Sequence, residues 1–82
     1  MKATILVRPK EGILDPQGEA VEASLRQLGF AVDRARVGRL VDLELEDMDP
    51  GTARAKVERM CRQLLAHPLI ESYEIELVEA AR

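Results

Sequence analysis

Two helix-start signals with the same wording, Asp15-Pro16 and Asp49-Pro50, constrain the fold of this chain more than any other feature. An aspartate at the N-cap accepts a hydrogen bond from an amide two or three residues on that has no helical partner. A proline in the first helical position gives up an N–H that would be orphaned anyway. After the first signal, Val21, Leu25 and Leu28 recur at i, i+4 and i+7, one buried stripe of a helix, and Gly29 stands where a left-handed terminator belongs. This predicts a helix over about 16–28. After the second signal, Ala53, Val57, Met60, Cys61 and Leu64 form the stripe. That helix must stop before His67-Pro68, because the residue preceding a proline resists helical angles.

The segments between the helices read as strands. Residues 2–8 are rich in apolar and β-branched types, with Ala3, Ile5 and Val7 on one face and Thr4 and Leu6 on the other. Residues 31–37 and 40–46 read as a hairpin around Gly38. A three-residue loop there sets Val37 opposite Val41 and Ala35 opposite Leu43, and it pairs Arg36 with Asp42 and Arg34 with Glu44. Each such pair is worth roughly 0.2–1 kcal/mol, and a one-residue slip would reverse every face. The last strand, about 69–78, alternates Tyr73, Ile75 and Leu77 with Ser72, Glu74 and Glu76. The order βαββαβ predicts an α+β, ferredoxin-like domain over 1–82, with a four-stranded antiparallel sheet and both helices on one face.

Composition removes several classes of function. Twelve Lys and Arg stand against fifteen Asp and Glu, a net charge of −3 without a basic stripe, which suits a phosphate backbone poorly. One Tyr, one Phe and no Trp leave no platform for stacking bases. The longest early apolar run, Ile5-Leu6-Val7, is too short for a signal core or a membrane span, so a cytoplasmic protein that binds neither nucleic acid nor membrane is expected. A single cysteine rules out an internal disulfide.

No residue pattern points to an active site. Cys61 lies mid-helix on the apolar stripe, where cysteine acts as a small hydrophobe. His67, the only histidine, sits at a helix C-terminus, where a positive ring suits the helix dipole. The glycines do not form a phosphate loop. Glu71, Glu74, Glu76 and Glu79 form an acidic patch of solvated or interface-facing charge. Arg8, Lys10, Arg34, Arg36 and Arg39 could meet an anion or an acidic partner, although cross-strand pairing already accounts for Arg34 and Arg36. No catalytic, cofactor-binding or metal-binding residue is therefore expected.

The apolar residues do point to association. The first strand is apolar on both faces, and in the last strand Ile75 and Leu77 are opposed by Ile70 and Val78. A sheet open to water on one side should alternate more cleanly. Association would also stabilise a domain this small, which buries only about 60% of its unfolded surface. A homodimer or higher oligomer is expected, using the helix-free sheet face, a sheet edge, or both. The expected interface residues are Leu6, Arg34, Arg36, Arg39, Ile70, Glu74, Glu76 and Val78.

Three ordered blocks resemble one family. They are Gly12-Ile13-Leu14-Asp15-Pro16-Gln17-Gly18-Glu19-Ala20-Val21, then Leu28-Gly29-Phe30 with Val37-Gly38-Arg39, then Met60-Cys61-Arg62-Gln63-Leu64-Leu65-Ala66-His67-Pro68-Leu69-Ile70-Glu71-Ser72-Tyr73. Together they resemble the PurS family of small subunits of phosphoribosylformylglycinamidine synthase. His67, Leu69 and Arg39 depart from the family's more usual Asn, Val and Lys. The resemblance implies a non-catalytic assembly subunit, itself dimeric, that joins a glutaminase subunit to an ATP-dependent synthetase subunit. It implies that ATP, Mg and glutamine are used by those partners and not bound by this chain. A reading of another class is a free-standing ferredoxin-like module that binds a small metabolite at a dimer interface.

Overall fold

The computed structural model describes residues 1–78. Its elements are β1 (Lys2–Pro9), α1 (Pro16–Gln27), β2 (Arg39–Glu44), α2 (Pro50–Met60) and β3 (Glu71–Val78). A π turn at Cys61–Leu65 continues α2. The three strands form one antiparallel sheet in the order β2-β1-β3. β1 is central because it is the most apolar strand: Ala3, Ile5 and Val7 are almost wholly buried.

Both predicted starts cap their helices. The Asp15 carboxylate accepts the Gly18 N–H at 3.0 Å, and that of Asp49 accepts the Thr52 N–H at 3.2 Å. Gly29 takes the left-handed conformation, φ +94°, that ends α1.

The predicted four-stranded sheet is not what forms. Residues 31–37 make no strand: their backbone is tied to α1, with the Val37 N–H on Asp15 and the Val32 and Asp33 carbonyls on Arg26, so β2 lacks the predicted hairpin partner on its outer edge and pairs with β1 alone, setting Val41 opposite Ile5 and Leu43 opposite Ala3. The charges are redistributed accordingly. Asp42 accepts the Thr4 hydroxyl at 2.8 Å, while Arg34 and Arg36 both reach Glu11.

The two helices do not share a sheet face either. The core consists of Ala3, Ile5, Val7, Val57, Cys61 and Ala66, with partly buried Val41, Leu43, Leu45, Leu65, Tyr73, Ile75 and Leu77 around it. α2 alone covers it. No α1 side chain enters this cluster, and Gly18 is the one buried residue of α1. The molecule is flat and long, 48 × 31 × 14 Å.

The stripe of α2 holds for Ala53, Val57 and Cys61 and then shifts. Leu64, expected inside, is 83% exposed, whereas Leu65 and Ala66 turn inward. The cause is the π turn, in which the Ala66 N–H bonds to the Cys61 carbonyl five residues back. The wider turn rotates the apolar face by about one residue. Beyond it the His67 carbonyl accepts the amides of Ile70 and Glu71, so β3 begins at Glu71, two residues later than the alternation suggested.

Candidate functional site

The expected interface residues fall into three separate places, apart from Ile70, which is exposed in the turn just before β3. Leu6, Glu74, Glu76 and Val78 share the helix-free sheet face with Thr4, Leu40 and Asp42. On this face Arg8 pairs with Glu74 at 3.2 Å. Leu6 is half-buried and Val78 is exposed. Glu79 lies outside the described residues.

The second place is the segment from Phe30 to Gly38 and its latch to the start of α1. Asp15 does more than cap. Its second carboxylate oxygen accepts the Val37 N–H at 2.9 Å, tying the connector to the helix start. These two amide bonds, Val37 first, hold the Asp15 carboxyl below the usual carboxylate range. Glu11 receives Arg34 at 3.0 Å and Arg36 at 3.2 Å, and its pKa is lowered, first by the Arg34 hydrogen bond. From the helix side, Arg26 donates to the carbonyls of Val32 and Asp33 at 2.9 and 3.0 Å. Gly18 is small for a packing reason: a Cβ there would overlap Asp15 Oδ2 and the Ala35 carbonyl. At Gly38 a Cβ would strike the Val7 carbonyl. The Asp15-Pro16-Gln17-Gly18 and Val37-Gly38-Arg39 blocks are therefore parts of one structural latch.

The third place is a clamp at the end of the core. Arg39 grips Glu71 with both arms of its guanidinium, at 2.6 and 2.9 Å, and also donates to the Leu65 carbonyl. Glu71 Oε1 accepts the His67 N–H at 2.7 Å as well. One carboxylate thus joins the start of β2, the end of the π turn and the start of β3. The Arg39 hydrogen bond, followed by that of His67, lowers the Glu71 pKa, while Glu71 raises that of Arg39. Arg39, expected to meet an anion or an acidic partner at the surface, is instead matched within the chain by Glu71. The signal was present in that each sits at the first residue of a strand flanking β1. His67 stands at the helix end as expected, but its ring nitrogen Nδ1 accepts the Leu69 N–H at 3.3 Å and so shapes the turn.

An open groove of about 440 Å³ is lined by Leu6, Val7, Arg8, Pro9, Arg36, Gly38, Arg39 and Leu40. It brings three of the candidate arginines together. Each is already matched by a carboxylate, Glu74, Glu11 or Glu71, so the groove is a salt-bridged surface and not a ready anion site. Cys61 is fully buried, and burial raises its thiol pKa, which disfavours the thiolate a nucleophile needs. Among the described residues, no three His, Cys, Asp or Glu side chains cluster to hold a metal ion, and no helix is long and apolar enough to cross a membrane.

Comparison with known proteins gives a consistent result. The profile of the family PurS, Phosphoribosylformylglycinamidine (FGAM) synthase, matches residues 2–79. A Synechocystis protein, phosphoribosylformylglycinamidine synthase subunit PurS, is 42% identical over 80 residues, 94% of this chain and 80% of that one. The Methanocaldococcus jannaschii subunit of the same name is 35% identical over 77 residues, 93% of each chain. Among solved structures, Bacillus subtilis PurS superposes with a TM-score of 0.85 at 37% identity, covering 95% of this chain and 98% of that one. A chain of the PurLQS structure from Thermotoga maritima superposes with a TM-score of 0.84 at 34% identity, covering 92% and 93%.

Proposed function

Because the chain belongs to the PurS family, we propose that it is the assembly subunit of a phosphoribosylformylglycinamidine synthase of purine biosynthesis. In this reading it bridges a glutaminase subunit and an ATP-dependent synthetase subunit. Together these convert formylglycinamide ribonucleotide, glutamine and ATP into the amidine. The observation that carries the reading is the match along nearly the whole chain to relatives of this name, one of them within a PurLQS structure. The chain's own chemistry agrees. The blocks that carry the family resemblance are spent on a latch and a clamp, its cysteine is buried, and Arg8, Arg36 and Arg39 of the groove are paired with carboxylates. ATP, Mg and glutamine are accordingly assigned to the partner subunits, and the work left to this chain is that of its surfaces. Apolar side chains exposed on several sides, among them Leu14, Leu28, Phe30, Leu40, Leu69 and Val78, fit a protein that is covered by others and by its own copies.

The test is reconstitution. Purified glutaminase and synthetase subunits should combine into a complex, and form the amidine from glutamine, only when this chain is added. The chain alone should hydrolyse no glutamine. Full glutamine-dependent synthesis without the chain, or failure of the chain to co-purify with either subunit, would overturn the reading.

A further inference from the structure

The overall charge of −3 conceals a segregation of sign. The stretch from Pro50 to Leu65, α2 and its π turn, carries Arg54, Lys56, Arg59 and Arg62 against Glu58 alone, a net charge of +3. The remaining residues hold eight Lys and Arg against fourteen Asp and Glu, a net charge of −6. The helix-free sheet face shares that sign, with Asp42, Glu44, Glu74 and Glu76 against Lys2 and Arg8. α2 covers the other side of the sheet, in a molecule whose shortest extent is 14 Å. The chain is thus a thin plate with one cationic and one acidic side.

The cationic side is also unmatched within the chain. Ala53, Val57 and Cys61 are buried on the core side of α2, and Lys56, Arg59 and Gln63 are exposed. Among the described residues, neither Lys56 nor Arg59 lies within salt-bridge reach of a carboxylate, and Arg62 has only a loose pair with Glu58 at 3.9 Å. The groove arginines Arg8, Arg36 and Arg39, by contrast, each have a carboxylate. Lys56, Arg59, Met60 and Gln63 line a shallow hollow of about 230 Å³. The π turn adds an apolar edge. Leu64, four residues beyond Met60, is 83% exposed where a regular helix would have turned it inward. An apolar spot rimmed by unpaired cations has the composition of an interface and not of an ion site.

We infer that the outer face of α2 is a docking surface for one of the two larger subunits, which seats on it through a surface rich in Asp and Glu around an apolar side chain. This rests on the assembly reading and gives it a contact surface. The partner's carboxylates meet Lys56, Arg59 and Arg62, and its apolar group meets Met60 and Leu64. A nucleic acid is a poor occupant, because the chain as a whole is acidic and repels a phosphate backbone. A small phosphorylated ligand would leave Met60 and Leu64 wet. A second copy offering its acidic sheet face would make a head-to-tail contact that repeats into an open stack. A different protein stops at one contact. The opposite signs of the two sides also fix orientation, since an acidic subunit is drawn to α2 and repelled by the sheet face.

The test uses the full chain with both larger subunits. The wild-type chain should enter the complex with an affinity that falls about tenfold as salt rises from about 0.05 to about 0.5 M. Lys56→Glu with Arg59→Glu should preserve the circular dichroism spectrum, weaken entry about a hundredfold or more and abolish that salt dependence. Lys56→Arg with Arg59→Lys should bind as the wild type does. Leu64→Ser should weaken entry about tenfold at an unchanged melting temperature. A photoreactive amino acid in place of Gln63 should cross-link to one larger subunit, within a segment rich in Asp and Glu. The inference is overturned by a folded charge-reversed variant that still binds, by binding insensitive to salt, or by cross-links to another copy of this chain, to both larger subunits or to a segment without carboxylates. If the charge-reversed variant does not fold, Leu64→Ser and the cross-link decide. Failure of the wild-type chain to enter the complex would overturn the assembly reading itself, whereas a wild-type complex that the charge-reversed variant also forms overturns only the docking surface.

Discussion

Asp15 is the residue with the most consequences for its size. Its two oxygens serve two different amides, Gly18 in the helix and Val37 in the connector, whereas Asp49 serves one. Asp15→Ala should therefore lower the denaturation midpoint about twice as far as Asp49→Ala, since an unmet amide costs more than an unmade bond gains. Equal midpoints for the two variants would mean that the Val37 bond does not persist in solution. The carboxylates of Glu11, Asp15 and Glu71 all have lowered pKa values in the folded chain. Their stabilisation is complete above the unfolded carboxylate range of about 4 and is lost as pH falls through the lowered folded values. Thermal unfolding should thus be nearly flat from about pH 6 to 8 and fall steeply below about pH 4. Glu71→Gln should reduce that acid slope; an unchanged slope would exclude the Arg39 clamp as its source.

Among the elements, α2 shows how a local change of pitch overrides periodicity. Leu64 continues the i, i+4, i+7 series from Val57 and Cys61 but points to solvent, because the π turn carries Leu65 and Ala66 inward instead. Leu65→Ala should cost about 1.5 kcal/mol, roughly half the transfer value of a fully buried leucine, and Leu64→Ala about 0.5 kcal/mol or less. Chemical denaturation of the two variants checks this, and a reversed order would place the helix face where simple periodicity put it. The π turn also ends the helix at the point where the Leu65 carbonyl can meet Arg39 and the His67 amide can meet Glu71. The bulge and the clamp are therefore one construction, with the irregular turn presenting backbone groups that a regular helix would have used internally.

For the molecule taken whole, the apolar stripe of α1 lies outside the core. Stability drawn from association depends on concentration. If folding and dimerisation are coupled, the melting temperature should rise by about 4 °C for each tenfold increase in chain concentration, given the unfolding entropy of two chains of this length. Scanning calorimetry over two decades of concentration tests this, and a constant melting temperature would show that the single chain is stable without its copy. The helix-free sheet face of the chain bears Leu6, Leu40 and Val78.

The sequence by itself determined the local events. Both helix starts, the glycine stop at Gly29, the end forced by Pro68, the central strand and the buried Cys61 follow from interactions between residues within about five positions of one another, or from a plain run of apolar types. The family blocks, too, were legible as a string. What they do was decided only by tertiary structure. Asp15 reaches Val37 across 22 positions, Arg39 meets Glu71 across 32, and Gly38 is pressed against Val7 by the sheet. The same holds for the missing fourth strand. Residues 31–37 offered a plausible alternation, but the Asp15 carboxylate takes the Val37 amide and Arg26 takes the Val32 and Asp33 carbonyls, so the segment is tied to α1 and adds no strand beside β2. Whether a backbone group is taken by a side chain or left for a sheet is settled in the assembled fold, so alternation along the chain could not exclude that strand.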